Sequence, residues 1–379
     1  MEARSGMLVW RVYIVPAGVL QSLMVGGGYG TGREIVEYFS RFGFAGGLLG
    51  LALVAVSLAV LLAASFELAR VFRAYDYRSF SRELLGRWWI AFEFIYLVMF
   101  ALVVAVVGAA AGSLVEQYLH VPPAAGVGVL FVLVVVFAFY GRGWVTNLLA
   151  YKAVILCGVL VVYFLAVVPP ASHQLAVQLA RHEILPGWAA AAAKYVLYSS
   201  VVIPTMLFAT TAISTRRQAI TAAGVSALGA VLPAALLHIS FGTAYPEVLG
   251  QSVPLYWMIS SLHLPGFTLA YLIVLFGSLF DVGLGFIQSV NERINSWRLE
   301  RHGVAITRRS RAAIAVVCIA CSGALSLVGI VPLIGRGYGT MAYAFLVLFA
   351  GPLLTIGIYR LRVVRSGEDV GSGRPQVST

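Results

Sequence analysis

The chain has 379 residues, of which 60% are hydrophobic and only 11% charged, and it carries a formal net charge of +11. A soluble domain of ordinary composition is about 25% charged, so a soluble enzyme is excluded. Nucleic acid is excluded as the partner of the positive charge, because the basic residues sit in short connections between apolar runs, where they act as topology signals.

A membrane-crossing helix needs about 20 mostly apolar residues. Ten spans are expected, at 8–39, 46–70, 90–117, 121–140, 145–168, 187–214, 218–244, 265–291, 311–331 and 338–360. No A-x-A-like cleavage site follows the first apolar stretch, which is therefore expected to be retained. Residues 174–183 read as a short surface helix or loop. The Gly/Ser/Pro-rich tail at 366–379 reads as disordered, leaving 1–365 as one transmembrane domain. Alternate connections and both termini hold twenty arginines, against four (Arg33, Arg41, Arg181, Arg336) on the opposite side. By the positive-inside rule both termini are cytoplasmic. The excess of arginine over lysine, with abundant Ala, Val and Gly, suggests a GC-rich bacterial genome and hence a bacterial inner membrane.

In the first span, Gly26-Gly27-Gly28-Tyr29-Gly30-Thr31-Gly32 places five glycines in seven residues, a poor helix. Irregular backbone at membrane depth is tolerated only where it is buried or lines a cavity. The span is expected to be two half-helices, with Gly28 or Gly30 in a geometry closed to β-branched residues and the second half starting near Thr31.

Spans two and three carry Glu67 and Glu93 near their inner ends, both expected to pair with nearby arginines. Tyr96, also in span three, is a candidate substrate-wall residue with Tyr29 and Tyr198. In span five, Lys152 lies in the inner half of the bilayer. It either completes a coupling site or snorkels to the headgroups.

Span six contains Tyr198-Ser199-Ser200 and then Pro204-Thr205. Pro204 removes a backbone donor and disfavours helix at Ile203, and Ser199, Ser200 and Thr205 can satisfy the freed carbonyls. An ordinary proline kink is the plainer alternative. Spans one and six open two sets of five, and interruptions at corresponding positions of two halves point to a secondary-transporter site. Because five is odd, the second half must be inverted.

The segment from Gly26 to Phe39, with Arg33-Glu34-Ile35 after the glycines, resembles the first-helix motif of the YkvI-type family of bacterial membrane proteins, roughly G-A-G-F-A-S-G-Q-E-I followed by an aromatic. Those proteins resemble the amino acid–polyamine–organocation superfamily. That resemblance implies an all-α integral membrane fold of ten helices in a LeuT-like five-plus-five inverted repeat, with repeats at about 8–168 and 187–361 and helices 1 and 6 discontinuous. It also implies transport. Arg33 stands where the pattern has Gln, Tyr29 where it has Phe, and span six lacks the Asn expected after its Tyr; these departures bear on substrate identity.

In span seven, His238 reads as a packing histidine more than a proton relay. In span eight, Asp281 is too short to snorkel and is a functional candidate. Asp281, Lys152 and Ser278 form the expected coupling site. If Lys152 supplies the charge there, coupling is to protons or absent; if it snorkels, Asp281 can hold sodium. Arg33, Glu34 and Lys194 form an expected outer gate of ion pairs, with outward snorkelling as the alternative and Glu37 at the rim. In span nine, Cys318 and Cys321 sit one turn apart and read as small packing residues, like Cys157 in span five. Gly337-Tyr338-Gly339 repeats the Gly28–Gly30 tripeptide at the start of span ten and reads as a turn.

A potassium filter is disfavoured, because the first Gly-Tyr-Gly lies inside one long apolar stretch, and no hydrolase motif occurs. The expected function is secondary active transport of a small polar solute, an amino acid or related zwitterion or amine, with proton or sodium as coupling ion and no other cofactor. The substrate is placed between Gly26–Gly32 and Tyr198–Thr205, where N–H groups near Thr31 suit a carboxylate. A membrane sensor retaining the fold, or an ion channel, is the alternative.

Overall fold

The computed structural model describes residues 8–24, 27–140, 158–304 and 306–364, and among these every regular element is helical. The first span is divided into a π-type turn at Trp10–Ile14, α1 (Val15–Met24), α2 (Gly27–Gly30) and α3 (Arg33–Tyr38). Then follow α4 (Phe44–Phe72), α5 (Tyr77–Leu85), α6 (Trp89–Leu119) and α7 (Pro123–Tyr140). The pair α8 (Gly158–Val167) and α9 (Ser172–Arg181) is bent by 85°. The second half holds α10 (Trp188–Ser199), α11 (Ile203–Met206), α12 (Arg216–Gly242), α13 (Pro254–Ser260), α14 (Pro265–His302) and α15 (Arg308–Ser326). Last is α16 (Ile330–Val364), in which three π-type turns alternate with α-helix.

Seven described helical stretches are long and apolar enough to cross a membrane, and the bent α8–α9 pair would make an eighth. Much of the expected fifth span, with Cys157 and Lys152, lies outside the described residues, as do Gly26 and the 366–379 tail. Capping sets several boundaries. Asp76 accepts from the Arg78 and Ser79 N–H groups at the start of α5. Thr215 and Gln218 form a capping box on α12, which satisfies two otherwise orphaned donors.

The helices sort into two packed groups. In one, α12 lies along α4 and α1, and α10 packs on α4; in the other, α6 packs on α7, α14 and α15. Lipid tails supply no hydrophobic drive between helices, so close packing must do so, and small residues permit it. The buried stripe of α12 is accordingly Ala219, Ala222, Ala223, Ser226, Ala227 and Ala230. Large apolar side chains such as Val56, Phe94, Val132, Leu228, Ile273 and Val347 stand on the outside. A soluble protein does not expose such a surface; here it faces lipid, in a multi-pass membrane protein.

Candidate functional site

Among the described residues of the glycine run, the helix is broken at Thr31–Gly32. Gly27–Gly30 form one helical turn, and the helix stops at Thr31–Gly32. Gly32 has φ +78°, whereas Gly28 and Gly30 have no positive φ, so the glycine required by backbone geometry is Gly32 and not the two expected. A Cβ there would also lie 2.6 Å from Phe241 Cζ. The freed backbone groups are taken up from other helices. Tyr271, fully buried on α14, donates its hydroxyl to the Gly30 carbonyl at 3.0 Å. The Leu255 N–H of α13 donates to the Thr31 carbonyl at 3.1 Å, and the Arg33 N–H reaches Thr31 Oγ1 at 3.3 Å. Tyr29 is wholly buried and donates to the Ala230 carbonyl on α12 at 3.3 Å, which ties the turn to α12.

Arg33, Glu34 and Lys194 do not form an ion-pair cluster. Arg33 is buried, donates to the carbonyls of Leu249 and Gln251 at 3.0 Å each, and pairs with Glu37 at 3.0 Å. Glu37 also pairs with Arg41, so it bridges two guanidinium groups at the rim. Arg33, Glu37, Arg41 and Arg336 line a cavity of about 670 Å³. Lys194 Nζ lies 5.5 Å from the centroid of the Tyr343 ring. Glu34 turns the other way. Its Oε2 accepts from the Tyr198 hydroxyl at 3.0 Å, amid a cluster of rings from Tyr38, Tyr195, Tyr198 and Tyr338.

Span six was expected to be interrupted near Ile203, but it stays helical from Trp188 to Thr210 and changes helix type along the way. Its α-helix ends at Ser199, turns as a 3-10 segment at Ser200–Val202, resumes at Ile203–Met206 and tightens again at Leu207–Thr210. The hydroxyls do take the carbonyls of this region: Ser200 Oγ donates to Leu197 O at 2.6 Å and Thr205 Oγ1 to Val202 O at 2.7 Å. Ser199 and Tyr195 are both buried.

Asp281 lies on α14, about 24 Å along the axis from Pro265 at the standard helical rise, with both carboxylate oxygens buried. Ser278 spends its hydroxyl on Val274 O at 2.9 Å. Tyr96 packs against Tyr77 and Phe100, with the Arg293 guanidinium 4.6 Å from its ring centroid. Its ring contacts are thus with α5, with α6 and with Arg293 of α14.

The structural expectations elsewhere are met. Glu67 pairs with Arg70 at 2.9 Å and Glu93 with Arg293 at 2.8 Å. His238 Nε2 donates to the Phe44 carbonyl at 2.9 Å, so its Nδ1 accepts from Ser40 Oγ at 2.8 Å. Both ring nitrogens are satisfied, as a packing histidine requires. Cys318 and Cys321 are free thiols.

No family model and no curated relative matches the chain. Solved structures do. A Na+-coupled sialic acid symporter in its substrate-bound outward-open state aligns with TM-score 0.61 at 11% identity, covering 90% of this chain and 78% of that one. Mhp1 in an inward-facing conformation aligns with TM-score 0.58 at 14% identity, covering 90% and 75%. A mutant of the Eremococcus coleocola manganese transporter aligns with TM-score 0.52 at 13% identity, covering 91% and 78%.

The fold is LeuT-like.

Identity this low shows the fold alone. Within it, sequence reading missed Tyr271, Tyr38, Tyr195 and Leu255. A tyrosine in an apolar run carries no sign of which carbonyl it will reach. Tyr338 carried one signal, the repeated Gly-Tyr-Gly. In place of a simple turn it lies buried in a π-type turn, its ring centroid 4.8 Å from that of Tyr198.

Proposed function

We propose that the chain is a secondary active transporter of a small polar organic solute, an amino acid or related zwitterion or amine, working by alternating access. The observation that carries this reading is the turn at Thr31–Gly32. An interrupted first span has its free carbonyls held by Tyr271 of α14 and Leu255 of α13, and irregular backbone at this depth marks a cavity or site. The two packed groups add support. One joins expected spans one and two to six and seven, the other three and four to eight and nine. Each group thus holds partners five spans apart, as a ten-helix inverted repeat of 8–168 on 187–361 requires.

The substrate site lies between Gly26–Gly32 and Tyr198–Thr205, and the coupling site at Asp281, with Ser278 and Lys152, takes sodium or a proton. The chain is placed in a bacterial inner membrane with both termini cytoplasmic, and within the YkvI-type group of the amino acid–polyamine–organocation superfamily. The aligned structures, a Na+-coupled symporter and a manganese transporter, support transport as the activity of this fold.

Purified protein in liposomes, offered a panel of amino acids, amines and nucleobases under imposed sodium or proton gradients, tests the reading. Accumulation of one compound driven by one gradient is expected. Binding of a compound without movement across the bilayer would indicate a sensor instead.

A further inference from the structure

We infer that Glu34 is a proton-carrying carboxyl group, taking up and releasing H+ as the contact between α3 and α10 breaks and re-forms. The inference rests on the transporter reading for its purpose, while proton binding at this residue can be measured without transport.

Glu34 is only 8% exposed, and among the described residues no ion pair includes it. Its hydrogen bond is the one from Tyr198. One hydrogen bond returns only part of the cost of burying a carboxylate, and a buried charge ordinarily needs a cation partner. The cations nearby are turned elsewhere: Arg33 to the Leu249 and Gln251 carbonyls and Glu37, Arg41 to Glu37, Lys194 to the Tyr343 ring. On the other elements packed against α3, Tyr29 and His238 are engaged in hydrogen bonds of their own, and Arg336 lines the cavity. Glu247 is exposed, Tyr256 sits on α13, and Arg216 and Arg217 lie at the far end of α12. The groups that face Glu34 are therefore phenols: Tyr38, Tyr195, Tyr198 and Tyr338.

An aromatic cage with a carboxylate also suits an organic ammonium. Here the rings are packed on one another, with centroids 5.7 Å apart for Tyr38–Tyr195, 5.3 Å for Tyr38–Tyr198 and 4.8 Å for Tyr198–Tyr338. Rings in direct contact leave no gap between their faces for an ammonium. A proton needs none. The step is simple: one carboxylate oxygen takes one H+ to give the neutral acid, no other bond is made, and Tyr198 keeps its phenolic hydrogen. Because the bonded partners sit on α3 and α10, and Tyr338 on α16, separating these helices would admit water and favour the ion. Closing them favours the acid.

Infrared difference spectroscopy of the full chain in lipid nanodiscs, titrated with protons alone, tests this. The carbonyl stretch of a protonated carboxyl is expected in the wild type and lost as pH rises. Glu34→Gln should lose that component, and Glu247→Gln should keep it. Tyr198→Phe retains the carboxyl and should shift its frequency, a readout that a merely structural role would not move and that does not depend on Glu34→Gln folding. A full wild-type signal in Glu34→Gln, or an unshifted one in Tyr198→Phe, overturns the inference. Failure to accumulate any solute, with this signal present, overturns the transporter reading and leaves the proton site standing.

Discussion

Tyr271 and Gly30, 241 residues apart, are joined by a hydrogen bond from the phenolic hydroxyl to the carbonyl oxygen at 3.0 Å, with the tyrosine wholly buried. The carbonyl is freed by the end of α2 and takes its donor from α14. Tyr271→Phe keeps the ring and removes only the hydroxyl. It should destabilise the protein by about 1–3 kcal/mol, the usual cost of a buried polar group left unsatisfied. Thermal unfolding in detergent measures this, and a Tm equal to wild type would show that the bond does not hold the turn.

Gly32 and Gly18 make a matched pair. Alanine at position 32 must adopt a left-handed conformation, at a cost of about 1–2 kcal/mol, and its Cβ would meet Phe241 at 2.6 Å. Alanine at position 18, inside α1, would meet nothing within 4 Å and should be neutral or stabilising by about 0.5–1 kcal/mol. Solute binding is expected to fail in Gly32→Ala and survive in Gly18→Ala. Equal affinity in both would separate the turn from the binding site.

A third prediction concerns Gly47 and His238. A Cβ on Gly47 would lie 2.3 Å from His238 Cε1, and the imidazole cannot retreat without losing its bonds to Ser40 and Phe44. Gly47→Ala should therefore cost at least as much as an overpacked core site, about 1–3 kcal/mol. Ser40→Ala should cost about as much by orphaning Nδ1. Unfolding midpoints of the two variants check this, and near-additive losses in the double variant would argue that the two contacts are independent.

Asp76 lies outside the spans and caps α5. Burial raises the pKa of its carboxyl, but hydrogen bonds from the Ser79 side chain and from the backbone N–H groups of Ser79 and Arg78 outweigh that and leave it lowered. A depressed carboxylate contributes stability that is present above its unfolded value and lost as pH falls through its folded value. Asp76→Ala should cost about 1 kcal/mol at neutral pH. The gap from wild type should close in acid, below the ordinary aspartate range of about 3.9. Melting temperatures of both proteins across pH read this directly.

Asp281 carries the prediction about coupling. Asp281→Asn removes a buried charge on α14 and should impair gradient-driven uptake whichever ion is used. If Lys152 supplies the countercharge, wild-type uptake is insensitive to sodium and Lys152→Met abolishes it. If sodium binds there, uptake follows the sodium gradient and tolerates that change better. Wild-type coupling in Asp281→Asn under both gradients would remove this residue from the mechanism.

The sequence alone determined the solvent and the scaffold. Apolar runs of membrane length, loop arginines, and a glycine cluster in the first span are local properties, legible without contacts, and they led to an all-helical membrane fold. They also marked Glu67 and Glu93 as paired with arginines, and His238 as packing. Partners across the fold were not legible. Arg33 and Glu34 are neighbours in sequence, yet one is held by Leu249, Gln251 and Glu37 and the other by Tyr198. Helical geometry sends consecutive side chains about 100° apart, so which neighbour each meets depends on how α3 is docked. Gly32 took the strained position over Gly28 and Gly30 for a similar reason. Composition makes any of the glycines eligible, but only the packing of α2 and α3 against Phe241, Leu255 and Tyr271 decides where the helix must turn.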